Sequence, residues 1–100
     1  MNSSFYLKYF NNIKSIIDDF DLKKIGKFKK LIISTAKQNK KILIFGNGGS
    51  AAIASHFSVD LTKNAKVRAV NFNEADLITC FSNDYGYENW VKKAIEYYSD

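Results

Sequence analysis

The stretch IFGNGGSAAIASHF, residues 44–57, passes from apolar residues through three glycines into small residues that favour a helix. Gly46, Gly48 and Gly49 fall within four consecutive positions, although the chain has only 5 glycines. The run KILIF, residues 41–45, is too short for a helix and is typical of a fully buried parallel strand. The stretch therefore predicts a strand, a glycine loop and a helix, in that order.

A glycine loop between a strand and a helix lies at the edge of a parallel sheet where ligands bind. Glycine allows a positive φ, and without a side chain it lets backbone N–H groups approach a ligand closely. Those groups and the helix dipole favour an anion, and Ser50, which starts the helix of residues 50–62, adds a hydroxyl donor. We expect a phosphate group here; the alternative is a tight turn that needs glycine only for its geometry.

Two helices are predicted before this unit. The first has a broad stripe of apolar residues at helical spacing, namely Tyr6, Tyr9, Phe10, Ile13, Ile16, Ile17 and Phe20. Asp21 is expected to cap the second helix, whose shared face is apolar except for one lysine: Leu22, Ile25, Lys29, Ile32 and Ala36. Because a small domain cannot cover the first stripe, we expect a homo-oligomer, a dimer or tetramer, formed through these helices.

The pattern after the glycine loop repeats strand and helix. Residues 67–72 predict a second strand, and Asn73 with Asp76 resembles a helix-start box. A last helix is predicted over residues 88–98. This alternation predicts an α/β fold with a right-handed crossover and a parallel sheet that carries helices on its faces.

The composition fits one small folded domain, or part of one, with 100 residues, no proline, 46% apolar and 25% charged residues. No apolar run approaches the roughly 18 residues of a membrane span. Lys8, Asn11 and Asn12 interrupt the apolar residues that a secretory signal would need. The single cysteine, Cys80, excludes an intrachain disulfide framework and favours a reducing cytoplasm.

The net charge of +5 is locally concentrated. No acidic residue lies between Asp21 and Asp60, a segment that contains Lys23, Lys24, Lys27, Lys29, Lys30, Lys37, Lys40 and Lys41. A lysine-rich helix can bind nucleic acid or an anionic membrane surface. Here the lysines have the spacing of the solvated face of a packed helix, so we expect no nucleic acid and no membrane partner.

Residues 46–51, GNGGSA, also match the dinucleotide fingerprint G-x-G-x-x-G/A. That fingerprint expects an acidic residue about 20 positions later, at the end of the second strand. Asn71 and Asn73 occupy this region, and Glu74 comes late. No Lys-Ser/Thr pair follows the glycines, which excludes a P-loop. A nucleotide-binding α/β domain therefore remains an alternative.

The segments GNGGSAAIASHF, VDLTK and SNDYGYE, in this order, resemble the sugar isomerase (SIS) domain family. The branch that they resemble most is that of the phosphoheptose isomerases, which interconvert sedoheptulose 7-phosphate and glycero-manno-heptose 7-phosphate. The resemblance covers essentially the whole chain. It implies a three-layer α/β/α parallel sheet, of which residues 1–100 form the N-terminal part, with leading helices in residues 1–39 and strand–helix repeats in residues 40–100.

The resemblance also implies roles for particular residues. The substrate-binding set is Asn47, Gly48, Gly49, Ser50, Asn83 and Asp84, of which Ser50 comes from the helix-start argument above. In the family, the residues that match His56 and Asp60 are metal ligands, and the one that matches Asp60 also serves in catalysis. The resemblance thus implies a sugar phosphate as ligand and zinc as the metal.

The residues themselves support these roles only in part. His56 and Asp60 are four positions apart and share one side of a helix, so they can supply two ligands of a zinc site or form a hydrogen bond with no metal. Asn83 and Asp84, followed by Gly86, are also an ordinary turn signal.

Two departures from the family pattern affect the expected function. Position 60 is aspartate where the phosphoheptose isomerases have glutamate, and a carboxylate drawn back by more than about 1 Å can cost a hundredfold in rate. Family members also continue with a second phosphate loop and a late glutamine and histidine. We therefore expect an aldose–ketose isomerase in which residues 1–100 alone turn over little substrate. The alternative is a non-catalytic module that senses a phosphosugar or binds a protein.

Overall fold

The computed structural model describes residues 3–100 of the chain. Its elements follow the predicted order and confirm an α/β class with leading helices and parallel strands. The elements are α1 (Ser3–Asp18), α2 (Leu22–Lys37), β1 (Ile42–Ile44), α3 (Gly49–Lys63), β2 (Ala69–Asn71), α4 (Ala75–Tyr85), a 3-10 turn (Tyr87–Asn89) and α5 (Trp90–Tyr98).

The chain divides into two compact units, one that ends at Lys30 and one that begins at Leu31. In the first unit, the predicted cap of α2 is confirmed, because the Lys23 N–H donates to Asp21 Oδ1 at 3.0 Å. The apolar side chains of α1 are exposed, with Phe10 at 60% and Ile17 at 67%. Within residues 3–100, no helix has both the length and the apolar content to cross a membrane.

In the second unit, β1 and β2 pair in parallel, with Ile42 opposite Ala69 and Ile44 opposite Asn71. The prediction of a fully buried first strand is wrong, because all three residues of β1 are only partly buried. The physical reason is the size of the sheet. Within residues 3–100 it has two strands, so each strand has a strand neighbour on one side only.

The core of the second unit joins the strands to the C-terminal helices. It centres on Phe72, Trp90 and Ala94, with Leu43, Phe45, Leu77, Ile78, Phe81 and Val91 packed around them. Phe45 stacks on Phe72 at 5.4 Å between ring centroids and meets Trp90 edge-on at 5.8 Å. Since Phe45 directly precedes Gly46, this packing anchors the start of the glycine loop.

The segments around α4 differ in detail from the prediction. The helix-start box does not form, because Glu74 is the N-cap without a side-chain hydrogen bond and the Asn73 N–H donates to Asn71 Oδ1 at 3.0 Å. The predicted helix over residues 88–98 is a 3-10 turn followed by α5. The chain reverses at Gly86, where φ is 89°. That angle favours glycine, so α4 extends up to this residue.

Candidate functional site

Two glycines of the loop are required by its own geometry. A Cβ at Gly46 would lie 2.3 Å from the Ser50 carbonyl oxygen and 2.7 Å from the Ala51 nitrogen, where the loop crosses the first turn of α3. Gly48 has a φ of 54° and is the N-cap of α3. These two positions therefore need glycine for close approach and for a positive φ, with or without a ligand.

Position 49 needs glycine neither for close approach nor for a positive φ. Its φ lies outside the left-handed region, and a Cβ built there would meet nothing within 4 Å. It is also the first residue of α3, where glycine is a poorer helix former than alanine. A side chain at this position would enter open space at the start of α3, and helix N-termini are where anions bind.

The hydrogen bonds of the loop determine which amides can serve a ligand. The Ser50 N–H donates to the Asn47 carbonyl at 2.9 Å, and the Ala51 N–H donates to the Gly48 carbonyl at 3.1 Å. Within residues 3–100, the N–H groups of Gly48 and Gly49 have no acceptor. The Ser50 amide is already used by the loop, so the amides of Gly48 and Gly49 are better placed to serve a ligand.

The side chain of Asn47 is held from a distant part of the chain. Its Oδ1 accepts a hydrogen bond from the phenol of Tyr87, with 3.0 Å between the two oxygens. The sequence reasoning missed Tyr87, although it lies in the segment SNDYGYE, because that segment was used only for Asn83 and Asp84. The position of this tyrosine, directly after the turn signal at Gly86, is the feature of the sequence that indicates a candidate site residue.

Asn83 and Asp84 lie in the last turn of α4, directly before the turn at Gly86, so the turn signal in this segment marks the end of the helix. Their side chains are exposed and bonded to each other, since Asn83 Nδ2 donates to Asp84 Oδ1 at 3.1 Å. The Cys80 thiol donates to Asp84 Oδ2 at 3.6 Å. The negative charge of Asp84 raises the pKa of the Cys80 thiol above its usual value. A carboxylate and an amide here suit a polyhydroxylated ligand.

His56 and Asp60 lie on the exposed side of α3, opposite the buried positions Ala54 and Leu61. His56 Nε2 is 3.5 Å from Asp60 Oδ2, and the two side chains are 80% and 48% exposed. Asp60 Oδ1 also accepts a hydrogen bond from Asn64 Nδ2 at 3.3 Å. An open depression of about 520 Å³ covers this face and is lined by Ala52, Ile53, His56, Phe57 and Asp60.

The structure does not bring the glycine loop and Asp60 to one point. Gly49 and Asp60 are at the two ends of α3, and at 1.5 Å per residue they are about 16 Å apart along the helix axis. Helical side chains lean towards the N-terminus, which shortens this gap by a few ångströms at most. A compact ligand therefore contacts one of the two groups, and only an extended ligand that lies along α3 contacts both.

A family model described as the SIS domain matches residues 6–96 of this chain. The chain belongs to the SIS domain family. Among its relatives, a phosphoheptose isomerase of Helicobacter pylori is 40% identical over 72 residues, which cover 66% of this chain and 38% of the relative. The phosphoheptose isomerase of Aliarcobacter butzleri is 31% identical over 97 residues, which cover 91% of this chain and 51% of the relative.

A phosphoheptose isomerase of Fusobacterium nucleatum is 32% identical over 90 residues, which cover 85% of this chain and 46% of the relative. The chain thus spans about half the length of the curated relatives that it matches. The recognition of the family from the glycine loop, the helix after it and the SNDYGYE segment is confirmed.

The zinc expected from the family resemblance requires more ligands than this part of the SIS domain supplies. His56 and Asp60 are suitable donor types, but within residues 3–100 no third histidine, cysteine or acidic residue joins them. Zinc sites in proteins have three or four protein ligands. The described residues alone therefore do not fit a zinc site, and zinc binding stays a prediction.

The contrast between the glycines predicts opposite effects of two similar substitutions. We expect Gly49→Ala to leave the free energy of unfolding unchanged or raise it by up to about 1 kcal/mol, because helix propensity improves. The same change should weaken the binding of inorganic phosphate, since a methyl group enters the ligand space. Gly46→Ala should instead destabilise the fold. Urea unfolding and phosphate titration of the loop amides by NMR measure both effects, and unchanged phosphate binding by Gly49→Ala would contradict this assignment.

The Asp84 charge predicts the reactivity of Cys80. Asp84→Asn should lower the pKa of the thiol and speed its alkylation by iodoacetamide severalfold near pH 8, because the thiolate is the reactive form. Asp100→Asn is the control, since Asp100 pairs with Lys41 at 3.0 Å and makes no contact with Cys80. Equal alkylation rates in the wild type and Asp84→Asn would show that the carboxylate does not act on the thiol.

Proposed function

We propose that this SIS domain binds a sugar phosphate at the glycine loop and serves an aldose–ketose isomerase that acts on a seven-carbon sugar phosphate, with sedoheptulose 7-phosphate as the first candidate. The observation that carries the proposal is the open space at Gly49 beside two N–H donors without acceptors. Curated relatives named phosphoheptose isomerase support the reaction class.

Aldose–ketose isomerisation moves a proton between two adjacent carbons, the carbonyl carbon and the hydroxyl-bearing carbon beside it, through an enediol, while the hydroxyl proton moves between their oxygens. A positioned carboxylate can remove this proton from one carbon and return it to the other. We assign this role to Asp60, whose oxygens are oriented by His56 and Asn64. Asn83 and Asp84 are proposed to bind hydroxyl groups of the sugar, because each carboxylate oxygen retains a further acceptor site.

Only a long substrate could contact both ends of α3 at once. The reaction proceeds on the open-chain form of the sugar, which is also its longest form. A phosphate at Gly49 and a reacting carbon near Asp60 require a ligand that spans most of the roughly 16 Å between these residues. An open-chain seven-carbon sugar phosphate approaches this length, whereas a three-carbon sugar phosphate does not. The geometry therefore supports a long sugar phosphate as substrate.

Two observations bear on the alternatives. Asp60 is 48% exposed and shorter than glutamate, which favours a non-catalytic phosphosugar-binding module as the second candidate. Nucleotide binding has less support, because the carboxamide of Asn71 is already used within the protein. It donates to the Ile44 carbonyl at 2.8 Å and accepts from the Asn73 N–H at 3.0 Å, and it carries no charge to bind a ribose.

The proposed substrate predicts how Asp60→Asn acts on different ligands. Asp60→Asn should leave the affinity for inorganic phosphate unchanged, since phosphate contacts only the loop, and should change the affinity for sedoheptulose 7-phosphate. Calorimetric titration of the wild type and the variant with both ligands measures this. A protein that retains isomerase activity should lose at least a hundredfold in kcat with this substitution. Equal affinity of the wild type for sedoheptulose 7-phosphate and unphosphorylated sedoheptulose would contradict the proposal.

We also propose that the SIS domain self-associates through α1. Six large apolar side chains of this helix are more than half exposed, and so is Phe20 just beyond it; the six are Phe5, Leu7, Tyr9, Phe10, Ile16 and Ile17. A second copy offers the same apolar surface, and burial of both surfaces stabilises the pair. Ile17→Lys should raise the dissociation constant at least tenfold by light scattering, whereas Asn12→Lys adds the same charge at a polar position. A wild type that is monomeric at micromolar concentration contradicts the proposal.

A further inference from the structure

Tyr87 lies against the glycine loop although 40 residues separate it from Asn47. Its phenol donates to Asn47 Oδ1, and this bond joins the turn after α4 to the loop before α3. We propose that Tyr87 is a positioning residue that orients the Asn47 carboxamide, so that its two N–H groups face a ligand at the glycine loop. The inference rests on the proposed function, since it assumes that the loop binds a sugar phosphate.

The backbone that carries Tyr87 is fixed on both sides. Gly86 turns the chain with a φ of 89°, and its carbonyl accepts from the Asn89 N–H at 3.0 Å. The side chain of Asn89 also donates to the Tyr85 carbonyl at 2.9 Å, at the end of α4. Trp90, which follows the turn, is only 4% exposed and packs in the core. The phenol therefore reaches Asn47 from a rigid element.

Asn47 is fixed in its main chain but not in its side chain. Its carbonyl accepts from the amides of Ser50 and Ala51, so the backbone cannot turn without breaking the start of α3. The remaining freedom is rotation of the side chain, and the bond from Tyr87 to Oδ1 restricts it. With Oδ1 occupied, the two N–H groups of Nδ2 are the free polar part of this side chain, directly before the amides of the next two residues.

The orientation of the Asn47 carboxamide determines whether this side chain attracts or repels an anionic ligand. The Nδ2 donors add to the backbone donors of the loop and attract a phosphate oxygen or a sugar hydroxyl. If the carboxamide rotates, Oδ1 faces the ligand instead and repels an anionic oxygen. Loss of the phenol should therefore weaken sugar phosphate binding about threefold to tenfold, the range expected for one hydrogen bond.

Tyr87→Phe removes only the hydroxyl group and keeps the ring. Tyr97→Phe is a matched control, because Tyr97 is 62% exposed against 58% for Tyr87 and its hydroxyl makes one bond, to Tyr85, at 3.1 Å. Calorimetric titration with sedoheptulose 7-phosphate should show the loss in Tyr87→Phe and no loss in Tyr97→Phe. In an Asn47→Ala background, Tyr87→Phe should have no further effect, because the residue on which it acts is gone.

A second measurement needs no ligand. In NMR spectra of the free protein, the side-chain amide signals of Asn47 should shift and exchange faster in Tyr87→Phe, while thermal stability stays near that of Tyr97→Phe. An unchanged Asn47 amide overturns the inference. If the wild type binds sedoheptulose 7-phosphate and Tyr87→Phe binds it equally, the positioning role fails and the proposed function stands. If the wild type does not bind this sugar or inorganic phosphate, the proposed function fails and the inference fails with it.

Discussion

The candidate site depends on one close approach, in which the backbone at Gly46 passes the first turn of α3 with no room for a Cβ. Because the loop lies so close, the carbonyls of Asn47 and Gly48 reach the amides of Ser50 and Ala51 and satisfy the helix N-terminus. Within the described part of the chain, the amides of the two glycines before Ser50 are among those left without an acceptor. The steric constraint on the fold thus also selects which donors a ligand can use.

Sequence reasoning predicted this loop because its constraints are local. A glycine loop between an apolar run and a helix involves contacts over at most five residues, and residue types at those positions report such contacts directly. The cap at Asp21 was predicted for the same reason. The bond from Tyr87 to Asn47 was not, because it depends on how the turn after α4 docks on the loop, 40 residues away. No periodicity in the chain encodes that docking.

Two other local predictions, the burial of β1 and the helix-start box of α4, are wrong. An apolar run such as ILIF, residues 42–45, indicates a strand that can be buried, but its burial depends on which elements pack beside it. Within residues 3–100 the sheet has two strands, and β1 is only partly buried. At α4 the pattern of Asn73 and Asp76 suggested a cap, yet the Asn73 N–H is already bonded to the side chain of Asn71. A hydrogen bond between residues two positions apart thus replaced the predicted capping motif.

The length of α3 separates two candidate groups of this SIS domain, the loop amides and the carboxylate of Asp60. The helix has the unpaired amides of Gly48 and Gly49 at its N-terminus and the carboxylate of Asp60 in its last turn, and a regular helix cannot bring its own ends together. A small anion at the loop would therefore gain nothing from Asp60, and under the proposed function the carboxylate would act only on a substrate long enough to reach it. If the phosphate binds as proposed, the length of α3 sets the minimum length of a substrate that reaches Asp60. Aspartate at position 60 makes this requirement stricter than glutamate would, because the reacting carbon atom must lie closer to the helix to reach the shorter side chain.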